Sequence, residues 1–263
     1  MKHLIIFADY GLDDAAATVT LFSREHLFSH IDIVPVGGNV PVDISFRNCL
    51  TLLSYFPSLQ SKISVIDARH IKQPAEFLSE IHGNDGMGDV LSPQVSDNDF
   101  EIIKYEEWLN TVDGTECILS LGPMTLVKPL MERFETYEPV IMGGCVHSSP
   151  NYNGYEFNHG MDKSAFAFCT KRKHAAITLD TCRVKKLDMR NIEIKGNDIH
   201  SLILRADQEL SISRQEEGCF IWDDVAAAYL LYPERFVLIE EKDIDGNRLF
   251  NAKYISEKIY YED

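Results

Sequence analysis

Six short apolar runs recur along this chain without a helical period. They occupy His3–Ala8, Ile31–Val36, Ile63–Asp67, Glu116–Leu121, Pro139–Gly143 and Ala175–Leu179. Apolar runs of this length, bounded by turn residues, are typical of strands that are buried on both faces. Strands of that kind belong to parallel sheets, and this constrains the fold more than any other feature of the sequence.

Helical patterns separate these runs. Two predicted helices begin at Asp13 and at Gly122–Thr125. Two others occupy Asp43–Tyr55 and Asp223–Leu231. Strands that alternate with helices predict an α/β fold with an open, mostly parallel β-sheet flanked by helices on both faces. The alternating tail from Phe236 to Tyr261 predicts an edge hairpin around Asp245-Gly246. Because the sequence shows no repeat and no low-complexity linker, we expect residues 1–263 to form a single domain.

The charge balance excludes several classes of partner. Acidic residues outnumber basic ones by 41 to 25, for a formal net charge of -16. Such a field repels nucleic acid and anionic membranes, so neither is an expected partner. No apolar stretch approaches the roughly 20 residues that span a bilayer. The 6 cysteines show no close pair typical of a zinc knuckle or a redox motif, and a reducing cytoplasm is the expected location.

An acidic turn follows the first predicted strand. Asp9 ends the strand, and Asp13 and Asp14 open the helix after it. Aspartates at a helix start often serve only as caps. Three carboxylates this close repel one another, however, and a hard divalent cation such as Ca²⁺ or Mg²⁺ would compensate them. Local chemistry leaves both interpretations open.

Other candidate residues follow later strands. Asn39 comes after the second strand, Thr125 after the fourth and Met142–Gly144 at the end of the fifth, while Asp223 opens a late helix. Each residue alone is a common turn or cap residue. Open α/β sheets bind ligands outside the carboxyl ends of their strands, so the shared location favours one site. The long polar segments Ala68–Asp99 and His147–Asp162 are interpreted as active-site loops.

The acidic turn resembles the signature of the inosine-uridine nucleoside hydrolase family, Asp-Thr-Asp-Pro-Gly-x-Asp-Asp. Here the signature reads Phe7-Ala8-Asp9-Tyr10-Gly11-Leu12-Asp13-Asp14. Further segments similar to the family follow in order: Gly38-Asn39, His82–Asp89, Leu121–Thr125, Met142–Gly144, Glu156–Asn158 with Asp162, Leu179–Thr181 and Trp222-Asp223. The matches extend from Asp9 to about Leu231, which is most of the chain.

The resemblance implies hydrolysis of the N-glycosidic bond of ribonucleosides to ribose and free base, with Ca²⁺ as cofactor. Implied metal ligands are Asp9, Asp14, the backbone carbonyl of Thr125, and Asp223. Asp9 is also the implied catalytic base that activates the attacking water. The implied ribose-binding residues are Asp13, Asn39, Glu156 and Asn158. The residues implied to contact the nucleobase are Trp222 and His82. The resemblance further implies a small-molecule nucleoside as the partner and a homodimer or homotetramer as the assembly.

Several positions depart from the family pattern. Phe7 replaces the first aspartate, Tyr10 replaces a proline that stiffens the turn, and Leu126 stands where asparagine is common. Trp222 stands where many members carry a histidine acid, and an indole can stack on a purine but cannot protonate it. We therefore expect a preference for purine nucleosides.

Two alternatives stay open at this point. One is a nucleoside- or ribose-binding protein that keeps the calcium site with weakened catalysis. The other, a metal-dependent phosphatase, needs a partner lysine or a phosphate-cradling loop that the sequence does not show.

Overall fold

The computed structural model describes residues 2–92, 100–215 and 218–255. The strands in these ranges are β1 (Lys2–Ala8), β2 (Phe28–Pro35), β3 (Ile63–Asp67), β4 (Glu101–Lys104), β5 (Cys117–Ser120), β6 (Val140–Met142), β7 (Ala175–Ile177), β8 (Phe236–Lys242) and β9 (Arg248–Tyr254). They form one sheet in the order β4-β3-β2-β1-β5-β6-β7-β9-β8. The neighbouring strands pair in parallel except β8 with β9, which is antiparallel. The predicted open, mostly parallel sheet is confirmed.

Helices cover both faces of this sheet, as predicted. They are α1 (Leu12–Phe22), α2 (Val42–Leu53), α3 (Ser79–His82), α4 (Tyr105–Leu109), α5 (Val127–Arg133), α6 (Phe157–Met161), α7 (Lys163–Cys169), α8 (Leu179–Cys182), α9 (Ile199–Ser213) and α10 (Trp222–Leu231). Helices α1, α2, α9 and α10 contribute to one apolar core. Helices α4, α5 and α7 contribute to a second core.

The first strand lies at the centre of the sheet, and its composition explains why. Leu4 and Ile6 belong to the first core, while Ile5 and Phe7 belong to the second, so both faces of β1 are buried. The order of strands reverses beside β1, since β2 lies on one side of it and β5 on the other. In open α/β sheets such a reversal opens a crevice at the carboxyl ends of the strands. Asp9 follows β1 at this crevice.

The six predicted strands are present as β1, β2, β3, β5, β6 and β7, with ends shifted by a few residues. The helix that we expected from Gly122–Thr125 begins only at Val127. The Val127 N–H bonds back to the Met124 carbonyl, so the preceding residues form a turn. Strand β4 and helix α9 were not predicted from the sequence.

The predicted edge hairpin is formed by β8 and β9 and turns at Asp245-Gly246, where Gly246 has a φ of +79°. Residues 256–261 of the predicted tail lie outside the described residues. Across the described part of the chain, no helix is both long enough and apolar enough to cross a membrane.

Candidate active site

Asp14 closes the turn that leads from β1 into α1. One of its carboxylate oxygens accepts the Asp9 N–H at 3.0 Å, and the other accepts the Gly11 N–H at 2.9 Å. Asp14 is fully buried. This carboxylate therefore fixes the backbone at the carboxyl end of the central strand, as a capping residue does.

Asp9 lies in a space that two glycines leave open. Its Oδ2 accepts the Asn39 N–H at 2.6 Å, whereas its buried Oδ1 has no hydrogen-bond partner. A Cβ atom on Gly38 would lie 1.9 Å from Asp9 Oδ2, and one on Gly122 would lie 3.0 Å from Oδ1. Side chains at either position would thus displace the Asp9 carboxylate.

Three carboxylates converge beside this turn. One oxygen from each of Asp13, Asp14 and Asp223 lies within 4.8 Å of the other two. Asp14 and Asp223 are buried, and Asp13 is half-buried with an unpartnered Oδ1. The structure therefore brings the signature together with the late helix α10. Asp13, for which the resemblance implied a role with ribose, stands in this cluster, and Asp9 adjoins it through Asp14.

Burial and mutual repulsion determine the electrostatics of these carboxylates. Burial, reinforced by the neighbouring aspartates, holds the pKa values of Asp14 and Asp223 well above their usual range. Burial and the charge of Asp13 likewise raise the pKa of Asp9 to about 7. Without a counter-charge, these groups ionise at a high cost in free energy. A hard divalent cation that takes oxygen ligands removes that cost, so the residues present fit a Ca²⁺-like ion.

Thr125 lies in the turn between β5 and α5. Its hydroxyl donates to Asp162 at 2.8 Å. Pro129, four residues further along, has no N–H, and the Lys128 N–H bonds to the Met124 carbonyl at 3.0 Å. The start of α5 thus leaves the Thr125 carbonyl without a helical donor, which suits a backbone ligand to a metal.

Glu156 and Asn158 connect α6 to the ends of two strands. Glu156 caps α6 and also accepts the Gly144 N–H at 2.9 Å. Asn158 Nδ2 donates to the Leu121 carbonyl at 2.5 Å and to the Met142 carbonyl at 3.2 Å. Burial raises the pKa of Glu156 to about 7, although the backbone N–H donors oppose this shift.

A cavity of about 620 Å³ opens over these residues, within the size range of small-molecule sites. Predicted site residues that line it are Asp13, Asn39, His82, Glu156, Asn158, Trp222 and Asp223. Asp9, Asp14 and Thr125 are not part of its described lining. Both expected active-site loops contribute to the cavity wall, through Leu78 in one and Tyr152 in the other.

His82 lies against the acidic turn. Its Nδ1 accepts the Leu12 N–H at 3.3 Å, and a Cβ atom on Gly11 would lie 2.7 Å from the imidazole ring. A ring nitrogen that accepts a backbone N–H leaves the proton on Nε2. His82 is thus bonded to the start of α1 and lines the cavity, where contact with the nucleobase was expected.

A further part of the cavity lining was not predicted from the sequence. Helix α9 contributes Asp207 and Ser211, the residue after it contributes Arg214, and the segment before α10 contributes Phe220. Arg214 Nη1 donates to the Glu80 and Ile81 carbonyls at 2.9 Å each, so α9 is bound to α3. The available signal was the spacing of Asp207, Ser211 and Arg214, since positions i, i+4 and i+7 share one helix face.

The structure explains two of the departures from the signature. Phe7 is fully buried in the second core and packs edge-on against Trp108, with ring centroids 6.3 Å apart. Tyr10 is fully buried in the first core and has a φ of +39°. The Tyr10 side chain is anchored in the core at the position where the family signature has proline.

A second group of possible metal ligands, His3, His30 and Asp32, lies within strands β1 and β2. The Asp32 carboxylate already accepts from His3 Nε2 at 2.9 Å and from Trp108 Nε1 at 2.6 Å, and His30 Nε2 lies 3.3 Å away. These partners account for Asp32 as a hydrogen-bonded structural group.

Known proteins resemble this chain over most of its length. The non-specific ribonucleoside hydrolase RihC of Salmonella paratyphi B is 26% identical over 254 residues, covering 90% of this chain and 80% of the relative. Among solved structures, the purine-preferring ribonucleoside hydrolase from Gardnerella vaginalis has a TM-score of 0.70 at 19% identity, covering 98% of this chain and 90% of that one. The plant nucleoside hydrolase PpNRh1 has a TM-score of 0.71 at 18% identity, covering 100% of this chain and 90% of that one.

The sequence model of one family, described as inosine-uridine preferring nucleoside hydrolase, matches residues 4–254. That range includes the acidic turn, both loops that line the cavity, and α10. The resemblance that rested on the signature is thereby confirmed. The chain belongs to the inosine-uridine preferring nucleoside hydrolases, N-glycosidases that split ribonucleosides into ribose and the free base.

Proposed function

We propose that this hydrolase is Ca²⁺-dependent, prefers purine ribonucleosides and uses Asp9 as its catalytic base. The convergence of Asp13, Asp14 and Asp223 within 4.8 Å of one another, beside the unpartnered Oδ1 of Asp9, carries this proposal. Cleavage of an N-glycosidic bond places positive charge on the sugar in the transition state. Carboxylates around the ribose stabilise that charge.

Asp14, Asp223, Asp9 and the Thr125 carbonyl would hold the cation. When bound, Ca²⁺ would take the vicinal ribose hydroxyls as oxygen ligands and would lower the pKa of water. Calcium acidifies water only weakly, so a carboxylate base is needed. Asp9 is suited to this role because one of its oxygens is fixed by the Asn39 N–H and the other has no hydrogen-bond partner.

Ribose is oriented by the remaining polar residues of the cavity: Asp13, Asn39, Glu156 and Asn158. Asn158 is held by two strand-end carbonyls, and Glu156 by backbone N–H groups. These bonds restrict both side chains before substrate arrives. Such preorganisation lowers the entropic cost of positioning the sugar.

The base would stack on an aromatic surface formed by Phe220 and Trp222, whose ring centroids are 5.3 Å apart. Arg183 lies over the Trp222 ring at 5.6 Å, which fixes the indole. A bicyclic purine covers more of this surface than a pyrimidine does. The same stacking would assist departure of the base in place of a histidine acid.

A homodimer or homotetramer and a cytoplasmic location complete the proposal. The first rests on the family resemblance. The second is supported by the cysteines, because all 6 are free thiols.

The proposal is tested by measuring ribose released from inosine, guanosine, adenosine, uridine and cytidine, with Ca²⁺ and with a chelator. We expect chelator-sensitive release that is faster for the purine nucleosides. Asp9→Asn should lower kcat by roughly 10²–10⁴-fold, the usual contribution of a general base. The matched control is Asp43→Asn, which makes the same change at an exposed position in α2 and should keep full activity.

Three results would contradict the proposal in different ways. Ribose release at the same rate with Ca²⁺ and with the chelator would show that the reaction does not depend on the metal. Full activity of Asp9→Asn would show that Asp9 is not the catalytic base. Nucleoside binding without any release would identify a binding protein that keeps the ribose site.

A further inference from the structure

Two helices that are far apart in the sequence share the carboxylate cluster. Asp13 and Asp14 belong to α1, whereas Asp223 belongs to α10. Buried carboxylates repel one another, so the cluster itself pushes the two helices apart unless a cation compensates the charge. Contacts elsewhere between α1 and α10 must therefore keep Asp223 beside Asp13 and Asp14.

Apolar packing between these helices constrains their alignment only weakly. The two helices pack against each other, and each carries three consecutive buried alanines, Ala15–Ala17 in α1 and Ala226–Ala228 in α10. Methyl groups allow a close approach, but the attraction between apolar surfaces is not directional. A directional contact is needed to fix one helix along the other.

Thr20 makes such a contact. Its hydroxyl donates to Asp224 Oδ1 at 2.5 Å and lies 3.5 Å from His200 Nε2 in α9. Asp224 is 2% exposed, so this hydrogen bond is shielded from water. A hydroxyl has a single proton, and the carboxylate takes it, which leaves the lone pairs of the Thr20 oxygen available to His200. Thr20 thereby joins α1 to α10 and to α9.

The position of Thr20 relates this hydrogen bond to the carboxylate cluster. Thr20 follows Asp13 by seven residues, which is about two turns on the same face of α1, or about 10 Å along its axis. Asp224 directly follows Asp223. Helix α10 thus meets α1 at two points, with Asp223 beside the first turn and Asp224 on Thr20. Two separated points of contact fix both the distance and the angle between two helices, whereas one point leaves the angle free.

Resting on the proposed function, we propose that Thr20 is a positioning residue for the metal site. Its hydrogen bond to Asp224 holds the start of α10 so that Asp223 stays beside Asp13 and Asp14 before a cation binds. Ligands that are held in place before binding give a higher affinity, because binding then adds no cost of ordering them. Loss of the Thr20 hydroxyl should weaken Ca²⁺ binding about fivefold, within the range of couplings that packed elements carry.

The test measures the Kd for Ca²⁺ by calorimetric titration in the absence of nucleoside. Thr20→Val removes the hydroxyl and keeps the shape of the side chain, so it should raise this Kd about fivefold. Thr20→Ser keeps the hydroxyl and should restore a Kd close to that of the wild-type protein. In saturating Ca²⁺, Thr20→Val should release ribose from inosine at close to the wild-type rate, because Thr20 is not part of the described cavity lining.

Thr18→Val is the matched control. It makes the same change at a buried position of α1 whose hydroxyl has no hydrogen-bond partner, so the Kd for Ca²⁺ should not change. Thermal melts in chelator show which variants are folded at the temperature of the titration. Thr20→Ala removes the same hydroxyl with less volume, and it replaces Thr20→Val in the comparison if that variant does not fold.

A wild-type Kd in Thr20→Val would overturn the inference even if its melting temperature falls, because Thr20 would then only stabilise the fold. An equal loss of affinity in Thr18→Val or in Thr20→Ser would overturn it too, since the Thr20 hydroxyl would not be the cause. These results leave the proposed hydrolase intact. Calcium-independent ribose release, or a wild-type protein that binds no Ca²⁺, would instead overturn the proposed metal dependence, and this inference with it.

Discussion

Asp14 combines two roles that the sequence alone could not separate. Its oxygens accept the N–H groups of Asp9 and Gly11, which is the work of a helix cap. The same carboxylate lies within 4.8 Å of Asp13 and Asp223. A cap requires one carboxylate at a helix start, and Asp223 belongs to a different helix. Capping therefore explains Asp14 but not the cluster, and the additional carboxylates favour a cation.

The backbone conformation of Tyr10 leads to a prediction about the stability of the protein. Restoring the proline of the family signature, Tyr10→Pro, should destabilise the protein, because proline fixes φ near −65° whereas Tyr10 has a φ of +39°. Loss of the buried ring adds a cavity, for a total loss of about 3 kcal/mol or more in the free energy of unfolding. Urea unfolding measures this loss. Tyr10→Phe keeps the ring and the backbone and is the control; a Tyr10→Pro protein as stable as the wild type would refute the prediction.

Strands and helices differed in how far the sequence predicted them. Strands such as β1 and β3 were predictable because both of their faces are buried, which leaves continuous apolar runs. Strand β4 was missed because it has four residues, begins with Glu101 and ends with Lys104. Helix α9 was missed because Asp207 and Ser211, which line the cavity, interrupt its apolar positions. Asp13 and Asp14 of the carboxylate cluster could therefore be singled out from a local signature, whereas their approach to Asp223 and the cavity wall from α9 depend on tertiary packing.

Helix α5 carries the second prediction. Pro129 deprives the Thr125 carbonyl of a helical donor, so Pro129→Ala should supply an N–H that competes with a metal ion. We expect calcium affinity to fall roughly fivefold, the equivalent of one hydrogen bond of about 1 kcal/mol. Stability in chelator should not fall, because alanine favours a helix. Calorimetric calcium titration provides the measurement, with Pro57→Ala, at the start of the short 3₁₀ helix Pro57–Lys62, as the control. Unchanged calcium affinity of Pro129→Ala would show that the Thr125 carbonyl is not a metal ligand.

Acidic groups are concentrated in two parts of the molecule. Its surface reflects a net charge of -16, and the crevice at the carboxyl ends of β1 and β5 buries several carboxylates. The exposed charges are solvated and screened, whereas the buried ones are screened much less. The second group therefore couples the stability of the fold to pH and to metal.

That coupling gives the last prediction. Burial raises the pKa values of Asp9 and Glu156 to about 7, and it raises those of Asp14 and Asp223 well above their usual range. Each folded-state pKa exceeds its unfolded value of about 4, so the folded protein holds protons that the unfolded chain releases. In chelator, the free energy of unfolding should therefore fall as pH rises from about 5 to 8, through Asp9 and Glu156 up to about pH 7 and through Asp14 and Asp223 above it.

Calcium should reverse most of this loss, because it replaces the protons as the counter-charge and competes with them less at high pH. The rise in melting temperature on adding Ca²⁺ should thus be larger at the upper end of that pH range than at the lower end. Thermal melts at both pH values, with Ca²⁺ and with chelator, measure it. Asp14→Asn should abolish the calcium-dependent gain, and the exposed Asp43→Asn should keep it. A melting temperature that rises with pH in chelator would mean that these carboxylates are ionised in the fold without a cation, and that the cluster is no metal site.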